Sequence, residues 1–206
     1  MQSAREPVDR RTGTAFMLGG GSVLVGLTLL FPVQAGAEGL FLLPAALFLL
    51  GAAAIVLGLL GLRHRLVAAT PTLVRTGAAA ILGLTGLTLV ALLVIGGLTL
   101  LDAGLGLNVP EAPEFGLATP PLFGAIVVGK LLFGVASLRA GVPSRALGGL
   151  LIAVAVLWVA GFSVGLRGQE FDLWDFLAMA TPALGTVLVG AILQTTAGTE
   201  TVNPGK

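Results

Sequence analysis

The chain has 206 residues, of which 56% are hydrophobic and 10% are charged. An ordinary soluble domain has about 25% charged residues, because its surface must be wetted, so this composition excludes a soluble globular protein. Eleven basic and ten acidic residues give no basic surface for nucleic acid, and the lack of cysteine and the single histidine, His64, exclude thiolate and multi-histidine metal sites.

Six apolar stretches follow one another along the chain, each with the roughly 20 residues that a helix needs to cross a bilayer. They are apolar on all sides, and none alternates polar and apolar residues as the strands of a membrane barrel do. The sequence therefore predicts an all-α polytopic membrane protein, a single domain of residues 1–195 with six transmembrane helices. The predicted spans are residues 14–31, 39–62, 77–101, 119–138, 146–166 and 173–194.

The first span has a second interpretation. A basic start, an apolar run and the small residues 35–37 are also the features of a secretory signal with its cleavage site. The apolar run of about 18 residues exceeds the roughly 7–15 of such signals, which favours a retained helix. The connectors are short, and the polar residues 196–206 predict a disordered cytoplasmic tail.

Basic residues alternate between the two sides of the predicted bundle. Nine Lys and Arg residues fall before the first span, in the second and fourth connectors and in the tail, whereas Arg167 alone falls in an odd-numbered connector. Because basic connectors stay in the cytoplasm, both termini are predicted to be cytoplasmic. Most acidic residues, and half of the aromatic ones, lie at the opposite ends of the spans, and the chain is predicted to be a multi-pass protein of the cell membrane.

Two patterns concern the packing of the spans. Residues 11–19 and 75–83 match at six of nine positions, which is compatible with three helical-hairpin repeats and equally with chance, because so restricted an alphabet produces such matches easily. Small residues let membrane helices approach closely, so we expect helix packing at small positions inside the spans, within the chain or in a homo-oligomer. The predicted packing residues are Gly134, Gly161, Gly165, Ala79 and Gly83.

Lys130 is the ionisable residue in the middle of a span. A lysine at this depth costs about 2.5–3.5 kcal/mol on insertion and marks a functional site by default. Gly134 and Ser137 share its helix face, and Asp175 and Asp102 are the candidate counter-charges, which predicts a substrate or ion site of Lys130, Asp175 and Ser137. The alternatives are a buried pair or a carbonyl-bonded lysine that only fixes packing, a neutral lysine facing lipid and, for Asp175, a cap at the start of the sixth helix.

No nucleophile, base and orienting group can be assembled, so the sequence predicts no enzyme, no cofactor and no metal. The remaining hypotheses are a non-catalytic accessory or structural membrane protein and, as the alternative, a small permease or carrier with a midplane site at Lys130. The expected partners are the lipid bilayer and either further copies of the chain or another membrane protein, with no role for nucleic acid.

Overall fold

The structure is a computed structural model that describes residues 6–34, 42–105, 119–165 and 173–199. Within these ranges the chain forms six α-helices, each long and apolar enough to cross a membrane, and each coincides with one predicted span. The helices are α1 (Glu6–Gln34), α2 (Leu42–Leu66), α3 (Pro71–Leu105), α4 (Thr119–Ala140), α5 (Arg145–Gly165) and α6 (Leu173–Thr199). The chain is therefore a multi-pass helical membrane protein, and the predicted all-α class is confirmed.

The end of α6 differs from the prediction. The helix continues to Thr199, so residues 196–199 are helical rather than part of a disordered tail, and residues 200–206 lie outside the described residues. Thr195 and Thr196 donate hydrogen bonds from their hydroxyls to the carbonyl of Ile192, at 2.9 and 3.0 Å. Polar side chains thus bond to the helix itself, and the helix does not stop where the apolar stretch stops.

The helices pack side by side in the order α1, α2, α4, α5, α6 and back to α1, so five of them form a closed circle of neighbours. α3 packs mainly against α4 and more lightly against α2. In the most apolar stretch of each helix, 56% of the residues are buried in α4 against 22% in α3. By this measure α4 is the most buried helix of the described bundle, and α3 the most exposed.

The contacts of α1 with α2 and α6 are made by backbone against backbone. A Cβ atom placed on Gly13 would lie 2.7 Å from the carbonyl oxygen of Gly190, and one on Gly190 would lie 2.5 Å from the carbonyl oxygen of Gly13. Gly19 and Gly51 face each other in the same way between α1 and α2, at 2.8 Å in both directions. Because side chains are missing at these contacts, the helices gain dispersion energy along their whole backbones.

α1 also supplies large apolar side chains to the core. Phe16 and Leu27 are completely buried, and Phe16 packs over Gly58 of α2. α1 is therefore a structural span of the described bundle, and the choice between a retained helix and a cleaved signal stays a prediction.

The small residues predicted to pack fall into two groups. Gly134 lies against Gly148 of α5, and Gly161 lies against Ala178 of α6, whereas the contacts of Gly165 lie outside the described residues. Ala79 and Gly83 are exposed on α3, and a Cβ atom on Gly83 would meet nothing within 4 Å. The expectation that Ala79 and Gly83 pack inside the chain is therefore wrong, because this side of α3 faces away from α4.

The repeat hypothesis stays a prediction. Three consecutive helix pairs do pack as hairpins, but the matched positions have different surroundings. Gly19 contacts the backbone of α2, whereas Gly83, the matching residue of segment 75–83, is exposed. Any duplication would therefore have diverged in how its helices pack.

Candidate functional site

Lys130 lies at the centre of α4, and its side chain is completely buried, with 0% of its surface exposed. The helix begins with two prolines at 120 and 121, in the first turn, where no backbone donor is lost. Lys130 follows about seven residues after this turn, and its side chain reaches Trp158 of α5 and Thr186 of α6. The lysine facing lipid, one of the three sequence alternatives, is thereby excluded.

The ammonium nitrogen has two partners in the described part of the chain. Lys130 Nζ donates to Thr186 Oγ1 of α6 at 2.6 Å, and it lies 5.4 Å from the ring centroid of Trp158 of α5. The Thr186 hydroxyl in turn donates to the carbonyl of Pro182 at 2.8 Å, so its lone pairs point toward the lysine. We call Lys130, Trp158 and Thr186 the lysine cluster, since one residue from each of three helices meets there.

Pro182 leaves one backbone carbonyl of α6 without its usual helical donor. A proline inside α6 lacks the N–H that would bond to the carbonyl of Ala178. Gly161 of α5 packs against that carbonyl, at a distance where a Cβ atom would lie only 2.5 Å from the oxygen. The Cα–H of Gly161 can therefore act as a weak donor to the carbonyl of Ala178. This contact holds α6 against α5 next to the lysine cluster.

Aromatic rings close the side of the lysine cluster that lies toward the start of α4. Phe123 stacks on Phe162 at 4.3 Å between ring centroids and meets Trp158 edge-on at 6.1 Å. Phe123 lies two helical turns before Lys130 on the same face of α4. The Lys130 amine therefore has a ring face and apolar edges around it, a setting that suits a cation but supplies no counter-charge.

The counter-charge predicted for Lys130 is not near it. Asp175 is buried and lies in the first turn of α6, eleven residues before Thr186, which corresponds to roughly 16 Å along the helix axis. No carboxylate among the described residues lies within ion-pairing distance of Lys130. The pairing of Lys130 with Asp175 is therefore wrong, and Asp175 occupies the position expected of a residue that favours the positive end of the helix dipole.

Ser137 does not belong to the lysine cluster either. Its hydroxyl contacts the carbonyls of Val142 and Ser144, at 2.8 and 3.1 Å, and so fastens the turn between α4 and α5. Gly141 takes a left-handed conformation there, with φ of 68°, which ends α4 at little cost. Ser137 is two turns from Lys130 and has a structural role, and the side chain of Asp102 lies outside the described residues.

Sequence reasoning missed Trp158 and Thr186 as partners of the lysine. A signal for them does exist, because each of the spans α4, α5 and α6 has one residue with a polar hydrogen-bonding group near its middle that faces inward. Polar groups at equal depth in neighbouring spans satisfy one another in the absence of water. That rule would have selected Thr186 over Asp175.

The described side chains include no group of three or more His, Asp or Glu residues that could hold a metal ion. Comparison of the sequence with known protein families, curated proteins and solved structures finds no match. Function is therefore inferred from the chain's own residues, and the lysine cluster is the feature that any proposal must explain.

Proposed function

We propose that the protein is a non-catalytic accessory or structural protein of the cell membrane, in which the lysine cluster ties α4, α5 and α6 together. The observation that carries this proposal is the complete burial of Lys130 against a hydroxyl and a ring, both supplied by the protein. A side chain that is buried and hydrogen-bonded in this way is typical of a structural contact between helices rather than of a binding site open to a solute.

The energetics support a fastening role. Hydrogen bonds between membrane helices average about 0.6 kcal/mol and reach about 1.7 kcal/mol, enough to select one arrangement of three helices. A solute that bound Lys130 would have to enter between α4, α5 and α6, because the amine is completely buried there and already donates to Thr186 Oγ1. No acid, base and nucleophile stand together among the described residues, which supports a protein without catalytic activity.

The proposed setting is the cell membrane with both termini in the cytoplasm. The charge distribution of the connectors supports this orientation. Lipid is the expected neighbour of the outer surface, where leucines such as Leu42 and Leu93 are 77% and 75% exposed. An accessory role further requires a partner membrane protein, which we expect to associate through the transmembrane surface.

The accessory role is tested by purification of the tagged full chain from its native membrane in mild detergent, followed by identification of proteins that remain bound in fixed ratio. A stable stoichiometric complex is the expected result. A chain recovered alone, in several detergents and after crosslinking in the membrane, would contradict an accessory role.

A second candidate, a small anion carrier, is favoured by one observation. Lys130 places an ionisable amine inside the bundle, and no carboxylate among the described residues lies within ion-pairing distance of it. Reconstituted protein would then conduct anions, and Lys130→Met would abolish the flux, while Thr88→Val, which alters a hydroxyl bonded only within α3, would not. Flux that is absent, or equal in Lys130→Met, excludes this candidate.

A further inference from the structure

A cleft of about 450 Å³ opens between the start of the α1 span and the end of the α6 span. Its walls carry residues from one stripe of each helix, and we call it the α1/α6 cleft. The lining residues are Arg10, Thr14, Ala191, Gln194 and Thr195. The described lining thus has polar groups and one cation but no acidic side chain, a composition suited to an anion.

The walls of the cleft are held at a fixed separation. Gly13 and Gly190 bring the two backbones into contact beside it, and Gln194 Nε2 donates to Thr14 Oγ1 at 3.0 Å from one helix to the other. A ligand would therefore find the cleft already formed and would not have to order it.

The hydrogen-bond donors of the cleft converge on one kind of ligand. The hydroxyls of Thr14 and Thr195 donate to carbonyls of their own helices, at 2.8 and 2.9 Å, so their protons are not available to a ligand. The guanidinium of Arg10 contributes five N–H donors. The Gln194 amide has one further N–H besides the one that it donates to Thr14. A planar guanidinium binds two oxygens of a phosphate at once, which makes phosphate the anion that fits best.

The position of the cleft indicates where such a phosphate comes from. Arg10 begins the apolar stretch of α1, and the apolar stretch of α6 ends at Thr196, so the cleft lies where hydrocarbon meets the lipid headgroups. Below it the same stripes continue as exposed apolar side chains, with Leu18 on α1 and Leu184 and Leu188 on α6, all at least 51% exposed. A polar cleft above an exposed apolar strip matches the shape of a phospholipid.

From these observations we propose that the α1/α6 cleft binds the headgroup phosphate of an anionic phospholipid, with Arg10 as its principal ligand and the acyl chains along the strip below. Phosphate is the shared chemistry of a lipid headgroup and a free phosphate ion, and the apolar strip favours the lipid. The site is separate from the lysine cluster and does not depend on the proposed accessory role.

The test uses the full chain, purified in detergent and stripped of lipid, with binding of phosphatidylglycerol measured by native mass spectrometry. Arg10→Gln is expected to raise the dissociation constant at least about tenfold, because a hydrogen bond to a charged group contributes about 1.5 kcal/mol or more. The matched control is Arg145→Gln, an exposed arginine at the same end of the bundle on α5, which should change the constant less than about twofold. Phosphatidylcholine should bind the parent more weakly than phosphatidylglycerol.

A second variant protects the test against misfolding. Thr195→Glu places a carboxylate in the cleft, leaves Arg10 unchanged and should weaken phosphatidylglycerol binding by a similar factor through repulsion. Equal losses in Arg10→Gln and Arg145→Gln, or no loss in Arg10→Gln and Thr195→Glu, would overturn the proposal. Displacement of the lipid by millimolar inorganic phosphate would overturn the lipid as the ligand and assign the cleft to a free phosphate.

Discussion

α1 and α3 are both long apolar helices that carry many small residues, yet the bundle uses them in opposite ways. α1 lies between α2 and α6, and its glycines at positions 13, 19 and 20 touch backbone on the neighbouring helices. α3 touches mainly α4, and its glycines at 83 and 86 meet nothing within 4 Å. The comparison teaches that a small residue in a membrane helix permits close packing without causing it, since a facing helix must be present.

The largest expected loss of stability comes from a substitution that disrupts the contact of α1 with α6. Gly20→Leu would place a Cβ atom 2.6 Å from the carbonyl oxygen of Ala183, so we expect a loss of about 3 kcal/mol in the free energy of unfolding, or failure to fold. The control is Gly21→Leu, one residue further along the same helix, where a Cβ atom meets nothing within 4 Å. Thermal unfolding in detergent compares the two, and equal midpoints would show that the α1 contact is unimportant.

A smaller effect is expected from the polar tie between α4 and α6. Thr186→Val leaves Lys130 Nζ without its acceptor, and the bond is worth up to about 1.7 kcal/mol, so unfolding should become easier by roughly 1–2 kcal/mol. Thr88→Val is the matched control on α3, because the Thr88 hydroxyl bonds only to the carbonyl of Leu84 in its own helix.

The double variant Lys130→Met with Thr186→Val sharpens this result. Removal of both polar partners should recover part of the lost stability, because two apolar side chains of similar size need no hydrogen bond, whereas Trp158 Nε1, which donates to Thr186 Oγ1 at 3.5 Å, still lacks its acceptor. Stability that falls further in the double variant would show that Lys130 is held by something other than Thr186.

The smallest effect is expected on α3. Gly83→Leu points into open surroundings, so the free energy of unfolding should change by no more than about 1 kcal/mol, in the direction of greater stability, since leucine favours a helix over glycine. Size-exclusion chromatography with light scattering should give the same mass before and after the change. A lower mass in Gly83→Leu would show that copies of the chain meet through α3 and that lipid is not its neighbour.

The spans and the burial of Lys130 inside the bundle could be predicted from the sequence, because both depend on the cost of polar groups in hydrocarbon, which acts on each residue by itself. The partner of Lys130 could not be predicted in the same way. Charge alone favours Asp175, but the contact goes to Thr186 because Thr186 lies at the same depth in the membrane as Lys130. That depth depends on how far α6 is shifted along its axis relative to α4, which the sequence does not give. The exposed position of Ala79 and Gly83 was missed for a related reason, since a spacing of four residues defines a face but does not say which helix covers it.

The separation of Lys130 and Thr186 by 56 residues has a consequence for biogenesis. When α4 leaves the ribosome, the acceptor of its lysine has not yet been synthesised, and an unpaired lysine at mid-span opposes partition into lipid by about 2.5–3.5 kcal/mol. α4 should therefore wait beside the insertion machinery, where water is accessible, until α6 arrives. In a chain truncated after α5, α4 should therefore insert poorly into the membrane, although it is the most buried span of the complete bundle.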